Sequence, residues 1–170
     1  IFVPGVTAWE NGRELNLDFE TGTLADWTTT GNAFEGQPIK GDTVAPRRPG
    51  MESGHSGDFW IGGFEHHGDT RIGTLTSSPF VVSQPYASFL TNGGPTEKTR
   101  VELVRQDTGR VFYQVAGTTS ETMRQVVVDL RAHVGKEIVV RLVDASTGGW
   151  GHLNFDHFRL YETRPARPTP

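Results

Sequence analysis

The sequence predicts an all-β protein, a jelly-roll β-sandwich of two antiparallel sheets, on three observations. Only 35% of the 170 residues are hydrophobic, while 21 are glycine and 10 are proline, a profile typical of short strands joined by turns. Apolar and polar residues alternate in segment after segment, and turn-forming residues separate the segments. About nine or ten such segments follow one another at the spacing of a sandwich, and none of the chain is convincingly helical.

The first predicted strand covers residues 15–19, where Leu15, Leu17 and Phe19 alternate with polar neighbours. A turn that ends at Trp27 follows it. The remaining predicted strands are residues 58–64, 73–82, 86–90, 100–105, 110–116, 124–130, 137–143 and 153–161. Residues 123–134 could also be read as a helix, but the β-branched runs 126–128 and 138–140 favour strands.

Residues 13–162 are predicted to form the single sandwich domain, since a chain of this length can bury a substantial core. Residues 1–12 show no clear period and are interpreted as a lead-in segment, and residues 163–170 form a Pro-rich tail or linker. Both end segments resemble linkers between domains. We therefore expect covalently linked neighbouring domains in a longer parent protein.

The charge and cysteine content limit the classes of partner. A net charge of -4 argues against nucleic-acid and anionic-membrane binding, because both need a basic surface. No apolar run approaches the roughly 18 residues of a membrane span, which predicts no membrane insertion. The absence of cysteine is compatible with the cytoplasm, and also with secreted bacterial proteins that use calcium in place of disulfides.

The segment from Asp144 to Leu160 combines a glycine-rich loop with the last predicted strand. Three glycines surround Trp150, so the backbone there can approach another group closely. In the strand, Asp156 alternates in phase with Phe158 and Leu160 and is therefore expected to point inward. Because a buried carboxylate must be paired or must coordinate a metal, the segment predicts a ligand loop beside an ion site.

Several motifs, in order along residues 15–161, resemble a known family. The most specific is the Gly-Gly-Trp-Gly-His-Leu-Asn-Phe-Asp run of residues 148–156, while the Asp-Phe-Glu-Thr-Gly run of residues 18–22 is shared more widely among carbohydrate-binding sandwiches. Together they resemble the jelly-roll carbohydrate-binding modules of bacterial levanases and related fructan hydrolases, and the homologous module of planctomycete proteins with cytochrome c-like domains. The resemblance implies a galactose-binding-domain-like sandwich that binds sugar without catalysis and holds calcium. It leaves the identity of the sugar open.

The resemblance also implies a position for the calcium. In such modules, acidic residues of the first and last strands bind the ion at one edge, and the matching residues are Asp18, Glu20 and Asp156. Carbonyl groups near Gly22 and Gly41 would supply further oxygens, since calcium takes roughly six to eight. The expected role is structural, tying together the two chain ends. In the alternative reading, Asp18 and Glu20 are solvated and backbone amides cap Asp156.

The candidate sugar site centres on Trp150, whose indole would stack on the C–H face of a sugar ring. Asp144 precedes the glycine-rich loop and His152 follows it, and both can form hydrogen bonds to hydroxyl groups. The other ligand candidates are charged residues of separate segments: Arg100, Glu102 and Glu65. In the alternative reading, Trp150 fills the core under its loop and Asp144 caps the loop's backbone amides.

Sequence motifs of common enzymes are absent, among them the Gly-x-Ser-x-Gly elbow, the phosphate-binding loop and His-Glu-x-x-His. We therefore expect a non-catalytic carbohydrate-binding module that targets a larger bacterial protein to a polysaccharide or its chain ends. Its place would be secreted, periplasmic or on the cell surface.

Two alternatives to the carbohydrate-binding module remain open. One is an interaction or spacer sandwich that binds no sugar. The other is a small jelly-roll enzyme that degrades polysaccharide, which would require two acidic groups, or a Tyr/His pair, in one cleft.

Overall fold

The computed structural model describes residues 5–166. The strands within this range are, in chain order, β1 (Trp9–Glu10), β2 (Arg13–Glu14), β3 (Trp27–Gly31), β4 (Ile39–Lys40), β5 (Phe59–Gly62), β6 (Gly73–Ser77), β7 (Phe80–Val81), β8 (Tyr86–Gly93), β9 (Thr99–Arg105), β10 (Val111–Ala116), β11 (Ser120–Asp129), β12 (Glu137–Asp144) and β13 (Leu153–Tyr161). Among the described residues, the helical segments are α1 (Val44–Arg47) and a 3-10 turn (Arg131–His133).

Two antiparallel sheets form the sandwich. One has the strand order β10-β9-β12-β6-β3, with β7 pairing to the start of β12, and the other has the order β11-β8-β13-β5-β4. Most neighbours in these orders are distant along the chain, which is the connectivity of a jelly roll. The predicted fold class is confirmed. Nearly every predicted strand is present, with ends shifted by a few residues.

Aromatic rings fill the space between the sheets. Phe155 of β13 packs against Phe19, Trp27 and Phe89, with ring centroids 6.2, 6.2 and 5.4 Å away. The Trp27 indole N–H donates to the carbonyl of Asn16 at 2.8 Å, so the one polar group of this ring is satisfied. Such rings supply a large share of the apolar area removed from water, and they anchor β13 in the middle of its sheet.

Residues 15–19 do not form the predicted first strand, although their apolar side chains are buried. The amide of Leu15 donates to Ala8, and the carbonyl of Leu17 accepts from Phe158, so the segment bonds to two different partners and forms no ladder. Phe19 has a φ of 62°, in the left-handed region, which ends any regular alternation. Leu15, Leu17 and Phe19 still reach the core. In this segment the alternation of apolar and polar residues indicates which side chains are buried, but it does not indicate strand pairing.

A bulge in β13 changes the predicted phase of that strand. The register against β8 shifts between Asp156 and Arg159, and His157 lies at φ 57°. The core residues on the two sides of the bulge are Leu153 and Phe155, then Phe158 and Leu160. The expectation that Asp156 shares a face with Phe158 is therefore wrong. Asp156 is fully buried, and its carboxylate accepts the amide of Ser56 in the loop that precedes β5.

Strands β1 and β2, of two residues each, strands β3 and β4 and the short helix α1 were not predicted. The threonines at 28–30 give β3 no apolar alternation, and β4 has only two residues, so neither produces the signal of a half-buried strand. Along residues 5–166, no helix has the length and apolar character that crossing a membrane requires.

The described part of the lead-in segment packs on the sandwich. Val6 and Leu160 exchange two backbone hydrogen bonds of 2.8 Å each, and Ala8 is buried in the main core. Trp9, by contrast, is 59% exposed on the hairpin formed by β1 and β2. Residues 1–4 of that segment and residues 167–170 of the Pro-rich tail lie outside the described range.

Candidate functional site

The loop between β12 and β13, residues 145–152, holds Trp150 in a defined conformation. Trp150 has a φ of 59°, which is uncommon for a residue with a side chain. The next residue, Gly151, has no room for a Cβ atom: one placed there would lie 2.7 Å from the carbonyl oxygens of Asp69, Gly148 and Ser146. The loop therefore packs on its own backbone and on the 63–72 loop, which presets the position of the indole.

The Trp150 indole is partly exposed and contacts two side chains. Its ring stacks on the imidazole of His152, with centroids 5.4 Å apart and planes inclined by 24°. The guanidinium carbon of Arg48 lies 5.4 Å from the indole centroid, in the geometry of a cation–π contact. One aromatic side chain is thus held against a buried imidazole and an exposed guanidinium.

The His152 side chain lies between two carboxylates in a site almost closed to solvent. The side chain is 2% exposed, and its Nδ1 is 2.7 Å from Asp69 Oδ1 while its Nε2 is 2.5 Å from Glu121 Oε1. The Nε2 contact is a close ion pair in which the N–H is not aligned on the oxygen. Burial works to lower the pKa of His152, but Glu121 and Asp69 outweigh it and raise that pKa. The two carboxylates therefore favour the protonated imidazole over the neutral one.

Arg47, at the end of α1, extends this network to a second aromatic ring. Its Nη2 is 2.7 Å from Glu121 Oε2, and its Nε donates to Glu65 Oε1 at 3.2 Å. The guanidinium carbon lies 4.5 Å from the centroid of the Phe64 ring. Burial works to raise the pKa of Glu121, yet the contacts with His152 and Arg47 lower it overall. Glu121 is thus an ionised bridge between the two cations.

These groups line an open cavity of about 240 Å³, here called the Trp150 pocket. Its lining residues are Arg47, Arg48, Phe64, Asp69, Glu121, Gly149, Trp150 and His152. Aromatic faces provide apolar walls, and charged groups at fixed positions provide donors and acceptors. That combination is the usual composition of a small-molecule site.

Four of the six predicted ligand residues lie in or near the Trp150 pocket, at three positions. Trp150 and His152 line the Trp150 pocket. Glu65 lies behind it, buried and bonded to Arg47 and to the hydroxyl of Thr43. Asp144 closes the end of β12, where it accepts the Ser146 amide at 3.2 Å. Burial raises the pKa of Asp144 to about 7, opposed by that amide and by the charge of His152.

Arg100 and Glu102 are outside the pocket, on the outer face of the six-stranded sheet. Glu102 accepts from Arg100 Nε at 2.9 Å and from Arg141 Nε at 2.7 Å, so its carboxylate is satisfied within the sheet. Arg100 Nη1 also donates to the carbonyl of Glu97 at 2.6 Å. These two residues shape the sheet surface and the 95–98 turn rather than the Trp150 pocket.

Apart from Gly149, five pocket residues were not among the sequence candidates: Arg47, Arg48, Phe64, Asp69 and Glu121. Arg47 and Arg48 carry a weak signal, since the flanking prolines mark an exposed turn that carries two cations. Glu121 carries none, because nothing along the chain distinguishes it from other strand carboxylates. Its role depends on Arg47, which lies 74 residues before it in the sequence, and on His152, which lies 31 residues after it.

The predicted calcium ligands lie near one another, but other groups engage two of them. Asp18 accepts from Arg159 Nη2 at 2.9 Å, and Glu20 accepts the amides of Asp58 and Phe59. Within residues 5–166, no group of three or more acidic or histidine side chains is arranged to hold a metal ion.

Asp156, the third predicted ligand, has one unpaired oxygen. Its Oδ1 is buried without a hydrogen-bond partner, while Oδ2 accepts the Ser56 amide. Burial raises the pKa of Asp156 to about 8, helped by the charges of Glu20 and Asp18. An orphaned buried oxygen beside two further carboxylates fits a cation, provided that Asp18 and Glu20 exchange their present donors for it.

The chain has the jelly-roll fold of carbohydrate-binding modules, and no family model matches it. One structure of this class is a family 61 carbohydrate-binding module, TmCBM61, solved in complex with beta-1,4-galactotriose; the TM-score is 0.53, with 20% identity, 86% of this chain and 94% of that chain covered. The K2 cleaved adhesin domain of Lys-gingipain also matches, with a TM-score of 0.51, 13% identity, and 85% and 96% of the two chains covered. At these identities the likeness shows the fold.

One curated relative matches by sequence. The Aspergillus rugulosus protein named "Putative glycosyl hydrolase ecdE" is 28% identical over 139 residues, which are 81% of this chain. The match spans only 19% of the relative's length. The resemblance to levanase and planctomycete modules stays a prediction.

Proposed function

We propose that this chain is a non-catalytic carbohydrate-binding module and that the Trp150 pocket is its sugar site. The observation that carries the proposal is that one small cavity combines aromatic faces with charged groups held in fixed positions. A sugar ring has apolar C–H faces and a rim of hydroxyl groups, so it matches walls made by Trp150 and Phe64 and polar groups supplied by Arg48 and Asp69.

The ion-pair network prepares this site before any ligand arrives. His152, Glu121 and Arg47 hold one another through ion pairs of 2.5 and 2.7 Å. Because these side chains are already ordered, a ligand loses little affinity to their immobilisation.

The charge states favour binding over glycoside hydrolysis. Hydrolysis requires a protonated carboxylic acid at the bond and a second carboxylate facing it. Glu121, which lines the pocket, has a lowered pKa and is committed to two cations. Asp144, whose pKa is about 7, does not line the pocket. Asp69, the other carboxylate that lines the pocket, is paired with His152 at 2.7 Å. Both pocket carboxylates are therefore engaged by cations, which disfavours the enzyme alternative at this site.

The comparisons support a module of a larger protein. The galactotriose complex of the family 61 module makes an oligosaccharide the natural class of ligand. The short match within a protein named as a glycosyl hydrolase fits a module joined to a catalytic part that it would direct to polysaccharide. We place the parent protein outside the cytoplasm of a bacterium, secreted, periplasmic or at the cell surface.

Isothermal calorimetry and affinity electrophoresis test sugar binding with levan, inulin, galactan, polygalacturonate and alginate. We expect at least one to bind, and Trp150→Ala to weaken that binding more than about tenfold while the melting temperature holds. Trp9→Ala, at a tryptophan that is 59% exposed on the β1–β2 hairpin, is the matched control and should bind normally. Silence across the whole panel would instead favour the interaction or spacer alternative.

We further propose a structural calcium ion bound by Asp18, Glu20 and Asp156, with carbonyls near Gly22 and Gly41. The support is the unpaired Oδ1 of Asp156 beside two other carboxylates. A bound calcium ion would supply positive charge to this cluster of three carboxylates.

Differential scanning calorimetry tests the ion. EDTA should lower the melting temperature and calcium, but not magnesium, should restore it, because a ligand of the folded state stabilises that state. Asp156→Asn should abolish this response, whereas Asp129→Asn, at an exposed ion pair, should keep it. A melting temperature indifferent to EDTA would remove calcium from the proposal and leave the sugar site standing.

A further inference from the structure

A second cavity adjoins the Trp150 pocket. It has a volume of about 370 Å³, and Gly149 and Trp150 line both cavities. Its other lining residues are Pro95, Thr96, Glu97, Lys98, Thr119 and Ser146. The Trp150 loop is therefore a ridge with a cavity on each side of it.

Hydrogen bonds between loops hold the walls of this second cavity in place. The Ala145 amide donates to the carbonyl of Lys98 at 2.7 Å, which joins the 95–98 turn to the Trp150 loop. Arg100 donates to the carbonyl of Glu97 at 2.6 Å and braces the same turn from the sheet face. The amide of Thr119 donates to Gly93 at 3.0 Å and fixes the opposite wall. The cavity is part of the folded framework.

The two cavities differ in chemistry. The Trp150 pocket has two aromatic rings, and its charged groups are mostly tied to one another. The second cavity has apolar surface from Trp150 and the Pro95 ring, together with hydroxyl groups, a carboxylate and an ammonium group, and Glu97 and Lys98 are exposed to solvent. Such a surface adds hydrogen-bonding groups for sugar hydroxyls to a smaller aromatic area than that of the Trp150 pocket.

Gly149 lies where the two cavities meet, since it lines both of them. A Cβ atom placed on Gly149 would meet no atom within 4 Å, so no side chain fills the space beside this residue. The Trp150 pocket alone, at about 240 Å³, lies below the roughly 300–1,000 Å³ of usual ligand sites, and the two cavities together fall within that range. Because Gly149 lines both cavities, a ligand longer than the first cavity can continue past this residue into the second.

We propose that the two cavities are adjacent subsites for one oligosaccharide. The first ring stacks in the Trp150 pocket, the glycosidic linkage crosses over Gly149, and the next ring is hydrogen-bonded by Glu97, Lys98 and Thr119. The ligand class is thus a chain of two or more sugar residues. This inference rests on the proposed function, because it presupposes that the Trp150 pocket takes sugar.

Calorimetry with mono-, di- and trisaccharides of the fructose, galactose and galacturonic acid series tests the second subsite. In the series that binds, we expect the disaccharide to bind roughly tenfold more tightly than the monosaccharide, since a second ring adds two or three hydrogen bonds. The double variant Glu97→Ala/Lys98→Ala should lose that gain and keep monosaccharide affinity. Gly149→Val, which adds a side chain where the linkage crosses, should likewise weaken the disaccharide more than the monosaccharide.

The matched control is Lys136→Ala/Glu137→Ala, which removes the same two charges from exposed positions at the other end of β12. It should keep the full gain. If monosaccharide and disaccharide bind equally, or if the double variant keeps the gain, the second subsite is refuted while the proposed function survives. If no sugar of any series binds and the polysaccharide panel is also silent, both proposals fall together.

Discussion

His152 combines deep burial with a stable positive charge, and Glu121 and Asp69 are the reason. A buried imidazolium without partners would lose its proton, since burial alone lowers the pKa. Here two carboxylates reverse that effect and hold the ring against Trp150. The same residue that positions the indole therefore links stability to pH.

We expect the folded state to lose stability as the pH rises above about 6.5, the ordinary pKa of histidine. A group whose pKa is raised on folding stabilises the folded state fully below its unfolded pKa and loses that contribution as the pH passes the folded pKa. Each unit of increase corresponds to about 1.4 kcal/mol. Urea unfolding from pH 6 to about pH 9 measures the loss.

His152→Gln should lower stability near pH 6 by about 3 kcal/mol, because it removes the imidazolium between Asp69 and the buried Glu121 and leaves Glu121 with Arg47 alone. Its stability should then fall less steeply with pH than that of the wild type. His67→Gln, in the loop after β5, is the control and should keep the wild-type slope. Identical slopes in the wild type and His152→Gln would contradict a buried imidazolium.

Arg47 and Arg48 are neighbours with different roles, and substitution should separate them. Arg47 pairs with two buried carboxylates, so Arg47→Ala should lower the free energy of unfolding by about 2 kcal/mol and also weaken sugar binding. Arg48 is exposed over Trp150, so Arg48→Ala should change stability by less than about 0.5 kcal/mol and weaken binding. Chemical denaturation with calorimetry checks both. Equal stability losses would overturn this division.

At the level of elements, the Trp150 loop depends on one glycine more than on its neighbours. Gly151→Ala would press a methyl group against three carbonyl oxygens, so we expect a loss of about 2 kcal/mol and weaker sugar binding. Gly148→Ala meets only the Ser146 hydroxyl, at an ordinary 3.9 Å, and should be neutral in stability. Thermal melts of the two variants provide the comparison. A neutral Gly151→Ala would mean that the loop adjusts freely.

Strand positions were mostly predictable because alternation and turn residues are local signals. Segment 15–19 shows where this fails, since its apolar residues enter the core from an irregular backbone whose partners are Ala8 and Phe158. The bulge at His157 shows a second failure. One extra residue reverses the phase of β13, and a simple alternation cannot contain it.

At the scale of the whole molecule, the two ends of the chain should contribute unequally to stability. Deleting residues 1–12 removes the Val6–Leu160 hydrogen bonds and the buried Ala8, so the melting temperature should fall by roughly 5 °C or more. Deleting residues 163–170 removes mostly exposed chain within the described part and should change it by less than about 2 °C. Calorimetry of both truncations measures this. A change below about 2 °C for both deletions would show that residues 1–12 are a dispensable lead-in.

The candidate site was predictable only in part. Trp150 and His152 were visible as an aromatic and a polar residue on a glycine-rich loop, and the pocket contains both. Arg100 and Glu102 carry equally suitable chemistry, yet they pair with each other on the sheet face, where Glu102 also accepts from Arg141. A charged residue can bind a ligand only when neighbouring side chains do not already pair with it, and the tertiary structure decides which side chains are its neighbours.

Local sequence is enough to set the all-β class and most strand positions, because side-chain alternation and turn chemistry act over a few residues. The assembly of the pocket is a different matter. Arg47 and Glu121 are 74 residues apart, and Asp69 and His152 are 83 apart. Only the folding of the two sheets brings these loops to one end of the sandwich. The ionised network forms there because, once buried together, each charge needs the others.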